Sequence, residues 1–101
     1  MGEPADELDR ELGDEPRLTL MALLTRSCEP CRELRPKLER LGRERADICR
    51  VVLVDVDDRP EVAERYGVTA FPTVICLTRG REVFRFKGGA LPPSMLSRLA
   101  G

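Results

Sequence analysis

Two apolar runs of strand length constrain the fold of this chain more than any other feature. They cover residues 18–24, LTLMALL, and residues 51–56, VVLVDV, and such runs are typical of strands buried on both faces, although periodicity alone does not exclude a buried helix. Between them, apolar side chains repeat at helical spacing, in the order Cys31, Leu34, Leu38 and Leu41. Pro36 interrupts this helix and should bend it. The pattern predicts two parallel strands joined by a helix in a right-handed crossover.

The second half of the chain carries start and stop signals for further elements. The segment PEVAERYG places Pro60 near a helix start and Gly67 just past its end. Arg79-Gly80 suits a tight turn between two strands. The predicted elements are this helix, strands over residues 73–78 and 82–87, and a helix over residues 92–100. We therefore predict an α/β fold in the order β-α-β-α-β-β-α, with a central mixed sheet of about four strands flanked by helices.

Length and the start of the chain define the expected domain organisation. A chain of 101 residues has room for one core, so we expect a single domain over residues 1–101. Residues 1–16 form an acidic segment, in which Leu8 and Leu12 suit a short, weakly anchored helix over residues 6–12. This segment lacks the basic head and apolar stretch of a secretory signal, and the apolar run after it is too short to span a bilayer. These features predict a soluble, cytoplasmic protein.

Charge and residue types exclude several classes of function. The net charge is −1 and the basic residues are spread among acidic ones, so the basic patch of a nucleic-acid-binding protein is missing. The chain has no histidine, which excludes a Cys–His catalytic pair and haem attachment through C-x-x-C-H. Four cysteines in such a chain are more often reduced, catalytic or packed than part of an extracellular disulfide framework. The expected partner is a protein or a small molecule.

Cys28 and Cys31, in the sequence CEPC at the start of the predicted helix, are the candidate catalytic residues. With Ser27 or Cys28 as the helix cap, ideal helix geometry separates the two cysteine Cα atoms by roughly 5 Å, which suits a reversible disulfide. Unpaired amides at the helix start favour a thiolate on Cys28, whereas Cys31 lies on the apolar stripe. We therefore expect Cys28 to attack and Cys31 to resolve. Arginines nearby should favour the thiolate and Glu29 should oppose it. The residues expected to tune it are Arg26, Glu29, Pro30 and Arg32.

Metal binding is the weaker interpretation of these side chains. A structural zinc site needs four ligands, and without histidine it would have to add Cys49 and Cys76, whose spacing does not match. Cys49 and Cys76 both suit small hydrophobes, and because Cys49 precedes its strand, a partly exposed regulatory thiol there is an open alternative. The acidic cluster of Asp55, Asp57 and Asp58 forms a strand end and the turn into the next helix. We therefore predict no metal and no cofactor.

From about Arg17 onward the motifs resemble those of the thioredoxin family. The matching pieces are CEPC after a strand, Pro36 five residues beyond the second cysteine, DVDDRPEVAERYGVTAFPT, the TRG hairpin, and KGGAL before the last helix. The resemblance implies a cis peptide bond at Phe71-Pro72 that faces the cysteine pair, where the Phe71 backbone would pair with an extended substrate segment. Gly89 resembles the glycine that lets a substrate approach the same surface. Phe71, Pro72 and Gly89 are therefore the implied substrate-binding residues.

The chain departs from the family pattern at three positions. Ser27 stands where members commonly have Trp, and Ala22 and Leu53 stand where they often bury an Asp paired with a Lys. In the family that acid is thought to help move the proton of the resolving cysteine. Its absence predicts slower resolution of the mixed disulfide, or a role for water or Glu29. The missing first strand is a feature of the smaller glutaredoxin-like branches of this fold.

The resemblance implies a cytoplasmic thiol-disulfide oxidoreductase that reduces protein disulfides through Cys28 and Cys31. Its expected partners are disulfide-containing proteins, with thioredoxin reductase or glutathione as the electron donor. Two alternatives stay open at this point. One is a non-catalytic thioredoxin-like module that binds proteins on the surface of Phe71, Pro72 and Gly89. The other is a glutaredoxin-like enzyme that draws electrons from glutathione.

Overall fold

The computed structural model describes residues 4–88, with side chains from residue 8 onward. Its elements in chain order are α1 (Pro4–Asp14), β1 (Leu18–Leu24), α2 (Glu29–Glu44), β2 (Cys49–Asp55), α3 (Pro60–Tyr66), β3 (Thr73–Thr78) and β4 (Arg81–Lys87). The helix predicted over residues 92–100 lies outside the described residues. Strands β1 and β3 have the predicted bounds, whereas β2 begins two residues early and β4 one residue early. Among the described helices, none has the length and apolar character needed to cross a membrane.

The four strands form one mixed sheet in the order β2-β1-β3-β4. Strand β1 pairs parallel with β2 and antiparallel with β3, and β3 pairs antiparallel with β4. Side chains of β1 alternate between two cores: Met21 and Leu23 join the cluster with α1 and α3, whereas Leu20, Ala22 and Leu24 join the cluster with α2. Helices cover both faces of β1, which explains its continuous apolar run and confirms the predicted fold class.

Helix α2 packs its apolar stripe on one face of the sheet. Cys28, one of the two predicted candidates, is its N-cap, and Pro30 lies in the first turn, where its missing N–H leaves no hydrogen bond unmade. The helix continues through Pro36 to Glu44. Its buried residues are Cys31, Leu34 and Leu38. The stripe therefore fixes the first turn of α2, and with it the cysteine pair, against the sheet.

The predicted N-terminal helix is present, but the prediction that it is weakly anchored is wrong. Helix α1 is 11 residues long, and its Leu8 and Leu12 are part of the core cluster shared with α3. The Asp9 carboxylate accepts hydrogen bonds from the Arg65 guanidinium and the Tyr66 hydroxyl. The two leucines indicated an apolar face of a helix. The residues of α3 that hold this helix lie far along the chain, and Tyr66 is 57 residues from Asp9.

The tight turn between β3 and β4 is confirmed at Arg79 and Gly80. Their φ angles are 53° and 81°, which is the left-handed conformation of a two-residue hairpin turn whose twist matches the flanking strands. A Cβ added to Gly80 would lie 3.2 Å from the Cα of Gly13. The turn thus packs against the end of α1, and both its backbone conformation and the close approach favour glycine.

Leu12→Ala should lower the free energy of unfolding by about 2–4 kcal/mol, because the substitution removes a side chain that is 1% exposed and leaves a cavity. Glu11→Ala, at an exposed position of the same helix, is the matched control and should change it by less than about 0.5 kcal/mol. Urea denaturation at neutral pH measures both. Equally small losses in the two variants would show that α1 is not part of the core.

Glu15 is a buried carboxylate that the sequence analysis did not identify. It accepts hydrogen bonds from the Arg17 backbone N–H at 3.0 Å and from the Arg17 Nε and Nη2 at 2.9 and 2.8 Å. Arg50 on β2 lies 3.8 Å from the same carboxylate. Hydrogen bonds from the side chain and backbone of Arg17 are the main causes that lower the pKa of Glu15 to about 2. The carboxylate thereby ties the connection between α1 and β1 to β2.

Because the folded state lowers the pKa of Glu15, its charge stabilises the fold at neutral pH, and that stabilisation is lost as the pH falls from about 4.5 to about 2. The difference in unfolding free energy between the wild type and Glu15→Gln should therefore be largest near neutral pH and should shrink toward pH 2. Urea denaturation across this pH range tests this, with the exposed Glu11→Gln as the control. A difference that stays constant with pH would contradict the account.

Candidate active site

The sulfur of Cys28 lies at the start of α2, in the loop that follows the carboxyl end of β1. Cys28 has an extended backbone, with φ −100° and ψ 115°, and its Sγ accepts the backbone N–H of Cys31 at 3.3 Å. The helix start thus directs an otherwise unpaired amide at this sulfur, which favours negative charge there. Cys28 is half-buried, whereas the other three cysteines are buried.

Cys31 lies one turn into α2 and is 2% exposed. Burial, followed by hydrogen bonding and charge from Cys28, raises the pKa of Cys31 to about 11, while hydrogen bonding from the backbone and side chain of Thr25 acts in the opposite direction. The two cysteines interact directly but have different surroundings. The predicted contrast between an accessible sulfur and a buried one is therefore what the structure shows.

The segment before β3 faces the cysteine pair, as the resemblance implied. The Phe71-Pro72 peptide bond is cis, and the Cys28 thiol donates to the Phe71 carbonyl at 3.6 Å. The Thr73 hydroxyl donates to the Ala70 carbonyl at 2.6 Å, and the Gly88 N–H donates to the Pro72 carbonyl at 3.1 Å. These bonds hold the segment from both sides and set the Phe71 carbonyl beside the reactive sulfur. Gly89, the third predicted substrate-binding residue, lies outside the described residues.

The four residues expected to tune the thiolate lie at the surface around Cys28. Arg26 donates from its backbone N–H to Asp57 at 2.8 Å and from its guanidinium to Asp58 at 3.2 Å. Arg32 lies 3.5 Å from the Glu29 carboxylate. Pro30 is exposed in the first helical turn. The positive charges are thus paired with carboxylates, and the influence of all four residues on Cys28 stays a prediction.

The three departures from the family pattern have clear structural positions. Ala22 and Leu53 are direct partners in the parallel pairing of β1 with β2, and both lie in the cluster that contains Cys31. Hydrocarbon therefore occupies the place beneath Cys31 where an acid–base pair would sit. Ser27 is exposed in the loop before α2.

Cys49 and Cys76 lie within strands and are both buried. Cys49 is the first residue of β2 and is 0% exposed, so the open alternative of a partly exposed thiol before the strand is wrong. The strand begins earlier than predicted because Cys49 continues the pairing with β1, opposite Leu18. Cys76 is a core residue of β3, as predicted. Within residues 4–88, no three Cys, Asp or Glu side chains converge in a way that could hold a metal ion.

Sequence reasoning missed a cavity beside Cys31. It has a volume of about 190 Å³ and is lined by Thr25, Arg26, Cys31, Arg32 and Arg35. The Arg35 guanidinium is bound to the Asp55 carboxylate at 2.5 Å. Arg35 follows Cys31 by one helical turn, a spacing that could have placed it beside the buried thiol. Thr25 follows β1 directly, and its place in the cavity wall beside Cys31 depends on how the loop folds.

Comparisons with known proteins agree with this geometry. A sequence model of the thioredoxin family matches residues 3–100. The thioredoxin of Bacillus subtilis (strain 168) is 39% identical over 72 residues, which are 71% of this chain and 68% of that protein. The X-ray structure of Fasciola hepatica thioredoxin matches with a TM-score of 0.78 and 33% identity, over 94% of this chain and 88% of that chain. The oxidized mitochondrial thioredoxin 3 of Saccharomyces cerevisiae has a TM-score of 0.75 and 27% identity, over 91% and 84% of the two chains.

A cysteine pair at a helix start, facing a cis-proline segment in this fold, defines the class of protein thiol-disulfide oxidoreductases. The chain belongs to the thioredoxin family. The resemblance inferred from the sequence is thereby confirmed.

Iodoacetamide should modify Cys28 before the other cysteines of the folded protein. Cys28 is half-buried beside the helix start, whereas Cys31, Cys49 and Cys76 are 2%, 0% and 1% exposed. At pH 8 the rate at Cys28 should exceed the others by at least about tenfold. Peptide fragmentation by mass spectrometry locates the label, and in denaturing urea all four cysteines should react at similar rates. Faster labelling of any other cysteine in the folded state would contradict the described geometry.

Proposed function

We propose that the protein reduces disulfide bonds of protein substrates by dithiol–disulfide exchange through Cys28 and Cys31. The observation that supports this best is the position of the Cys28 sulfur, which accepts the Cys31 N–H at 3.3 Å and lies 3.6 Å from the Phe71 carbonyl. Cys28 is accessible to a substrate, and Cys31 lies behind it.

The reaction has two steps, and each exchanges one S–S bond for another. The Cys28 thiolate attacks one sulfur of the substrate disulfide, so that a mixed disulfide forms and the other substrate sulfur leaves as a thiolate. The Cys31 thiolate then attacks the Cys28 sulfur. The Cys28–Cys31 disulfide forms, the mixed disulfide breaks, and the second substrate sulfur leaves. Two electrons pass from the cysteine pair to the substrate, and the Cys31 proton passes to solvent.

The segment around Phe71 and Pro72 is the proposed substrate-binding surface. Because the Phe71 carbonyl lies beside the Cys28 sulfur, a polypeptide that pairs with the Phe71 backbone would bring its own sulfur to the same place. Gly89 lies outside the described residues, and we propose it as a substrate-binding residue from the resemblance alone. Backbone pairing of this kind accepts many sequences.

The proposed location is the cytoplasm, and the proposed electron donor is a thioredoxin reductase or glutathione. The cysteine usage supports this, because Cys28 and Cys31 act only if a reducing compartment returns them to thiols. The single-domain organisation over residues 1–101 is likewise proposed, supported by the family match across residues 3–100.

Cys31→Ser should trap the first intermediate. Without the resolving sulfur, the Cys28 adduct with a disulfide-bonded protein such as insulin should accumulate, and turnover of that substrate should fall by at least about a thousandfold. Cys28→Ser is the matched control and should form no adduct. Non-reducing electrophoresis and intact mass measure both. Equal behaviour of the two variants, with no adduct in either, would leave only a binding module and would contradict the proposal.

A further inference from the structure

The proposed function requires the buried Cys31 thiol to lose a proton before it attacks, and the inference below rests on that function. On its sheet side Cys31 meets the apolar cluster that includes Leu20, Ala22 and Leu24 of β1. None of these side chains can stabilise a thiolate. A buried anion without a polar partner is costly, so such a partner must come from another element.

The loop that follows β1 supplies this partner. Thr25 is half-buried and shares with Cys31 the wall of the cavity of about 190 Å³. Hydrogen bonding from the Thr25 backbone and side chain opposes the burial that raises the pKa of Cys31. A water molecule takes about 30 Å³ of liquid volume, so the cavity can hold several. Its wall includes the exposed Arg26 and Arg32, and water there can exchange with solvent.

We propose that Thr25 is a positioning residue for the resolving step, in which its hydroxyl donates a hydrogen bond to the Cys31 thiolate while water in the adjoining cavity carries the Cys31 proton to solvent. This would replace the carboxylate that Ala22 cannot provide.

The charged groups around the cavity support a specific role for Thr25 because each arginine is already paired. Arg35 is bound to Asp55 at 2.5 Å, Arg32 lies 3.5 Å from Glu29, and Arg26 lies 3.2 Å from Asp58. The Glu29 side chain is 76% exposed, which places its carboxylate toward solvent and not toward the buried thiol. The other titratable groups of the Cys31 cluster are three thiols, those of Cys28, Cys49 and Cys76.

Formation of the mixed disulfide makes the proton of Cys31 easier to remove. In the reduced protein, hydrogen bonding and charge from Cys28 both raise the pKa of Cys31. These two effects end once the Cys28 sulfur is bonded to the substrate, whereas the burial of Cys31 stays. Thr25 then acts against burial alone. Cys31 loses its proton to water, attacks Cys28, and releases the substrate sulfur as a thiolate.

The test compares Thr25→Val, which keeps the shape but loses the hydroxyl, with Thr25→Ser, which keeps the hydroxyl. The reduced proteins are mixed with dithionitrobenzoate in a stopped-flow instrument. The first release of thionitrobenzoate reports attack by Cys28, and the second, independent of reagent concentration, reports attack by Cys31. Thr78→Val, at an exposed end of β3, is the matched control. Cys28→Ser gives the background from the buried thiols, and Thr25→Ala replaces Thr25→Val should the latter not fold.

At pH 7 the second phase of Thr25→Val should be about tenfold slower than in the wild type, which corresponds to a rise of about one unit in the pKa of Cys31. The first phase should stay within about twofold, as should both phases of Thr25→Ser and Thr78→Val. Thr25→Ser separates a hydrogen bond to the thiolate from a structural disturbance, because it disturbs the packing of the Thr25 methyl group and keeps the hydroxyl.

Several outcomes would overturn the inference. They are a second phase of Thr25→Val within twofold of the wild type at pH 7, an equal loss in Thr25→Ser, and an equal slowing of the first phase. The proposed function fails differently. In that case the wild type itself would show no second phase beyond the Cys28→Ser background.

Discussion

The hydrogen bond from the Cys31 N–H to the Cys28 sulfur is the contact on which the site depends. It exists because Cys28 is the N-cap of α2, and the apolar stripe of that helix holds its first turn on the sheet. Strand β1 brings the chain to this point and pairs with β3, the strand that begins just after Phe71-Pro72. The pairing of these two strands thus sets the helix start and the Phe71 carbonyl on either side of one sulfur.

The same packing opposes the second step of the proposed reaction, because it buries the thiol that must lose a proton. A helix can direct its first amides at Cys28 only if its apolar face is buried, and Cys31 belongs to that face. Position alone therefore gives two identical side chains different roles, one accessible and supported by an amide, the other held neutral by its surroundings. Ala22 and Leu53 strengthen this contrast, since they leave the sheet side of Cys31 without a polar group. The cavity on the loop side of Cys31, with Thr25 in its wall, is the polar surrounding that we propose offsets the burial of this thiol.

The sequence predicted the elements whose signals are local. The apolar run of β1, the helix start at Ser27 or Cys28 and the turn at Arg79-Gly80 each depend on a few neighbouring residues, and all three were confirmed, with Cys28 as the cap. The anchoring of α1 was missed because it requires Arg65 and Tyr66, which only the folded chain brings to Asp9.

Charged and polar contacts at the site were harder to predict for the same reason. Nothing in the sequence around Glu15 indicates that Arg17 and Arg50 surround its carboxylate, and nothing near Thr25 indicates that it lines the same cavity as a thiol six positions later. The motif CEPC identified the reactive pair because two cysteines within one helical turn are close enough to form a disulfide. The groups around that pair come from loops and neighbouring strands, so their positions follow from tertiary structure alone.

The reduction potential of the Cys28–Cys31 pair distinguishes a reductase from an oxidant, and equilibration in glutathione buffers with mass-spectrometric assignment of the disulfide measures it. For the proposed reductase we expect one disulfide, between these two cysteines, with a potential more negative than about −220 mV. A potential near about −120 mV, which is that of a strong oxidant, or a disulfide that involves Cys49 or Cys76, would contradict it.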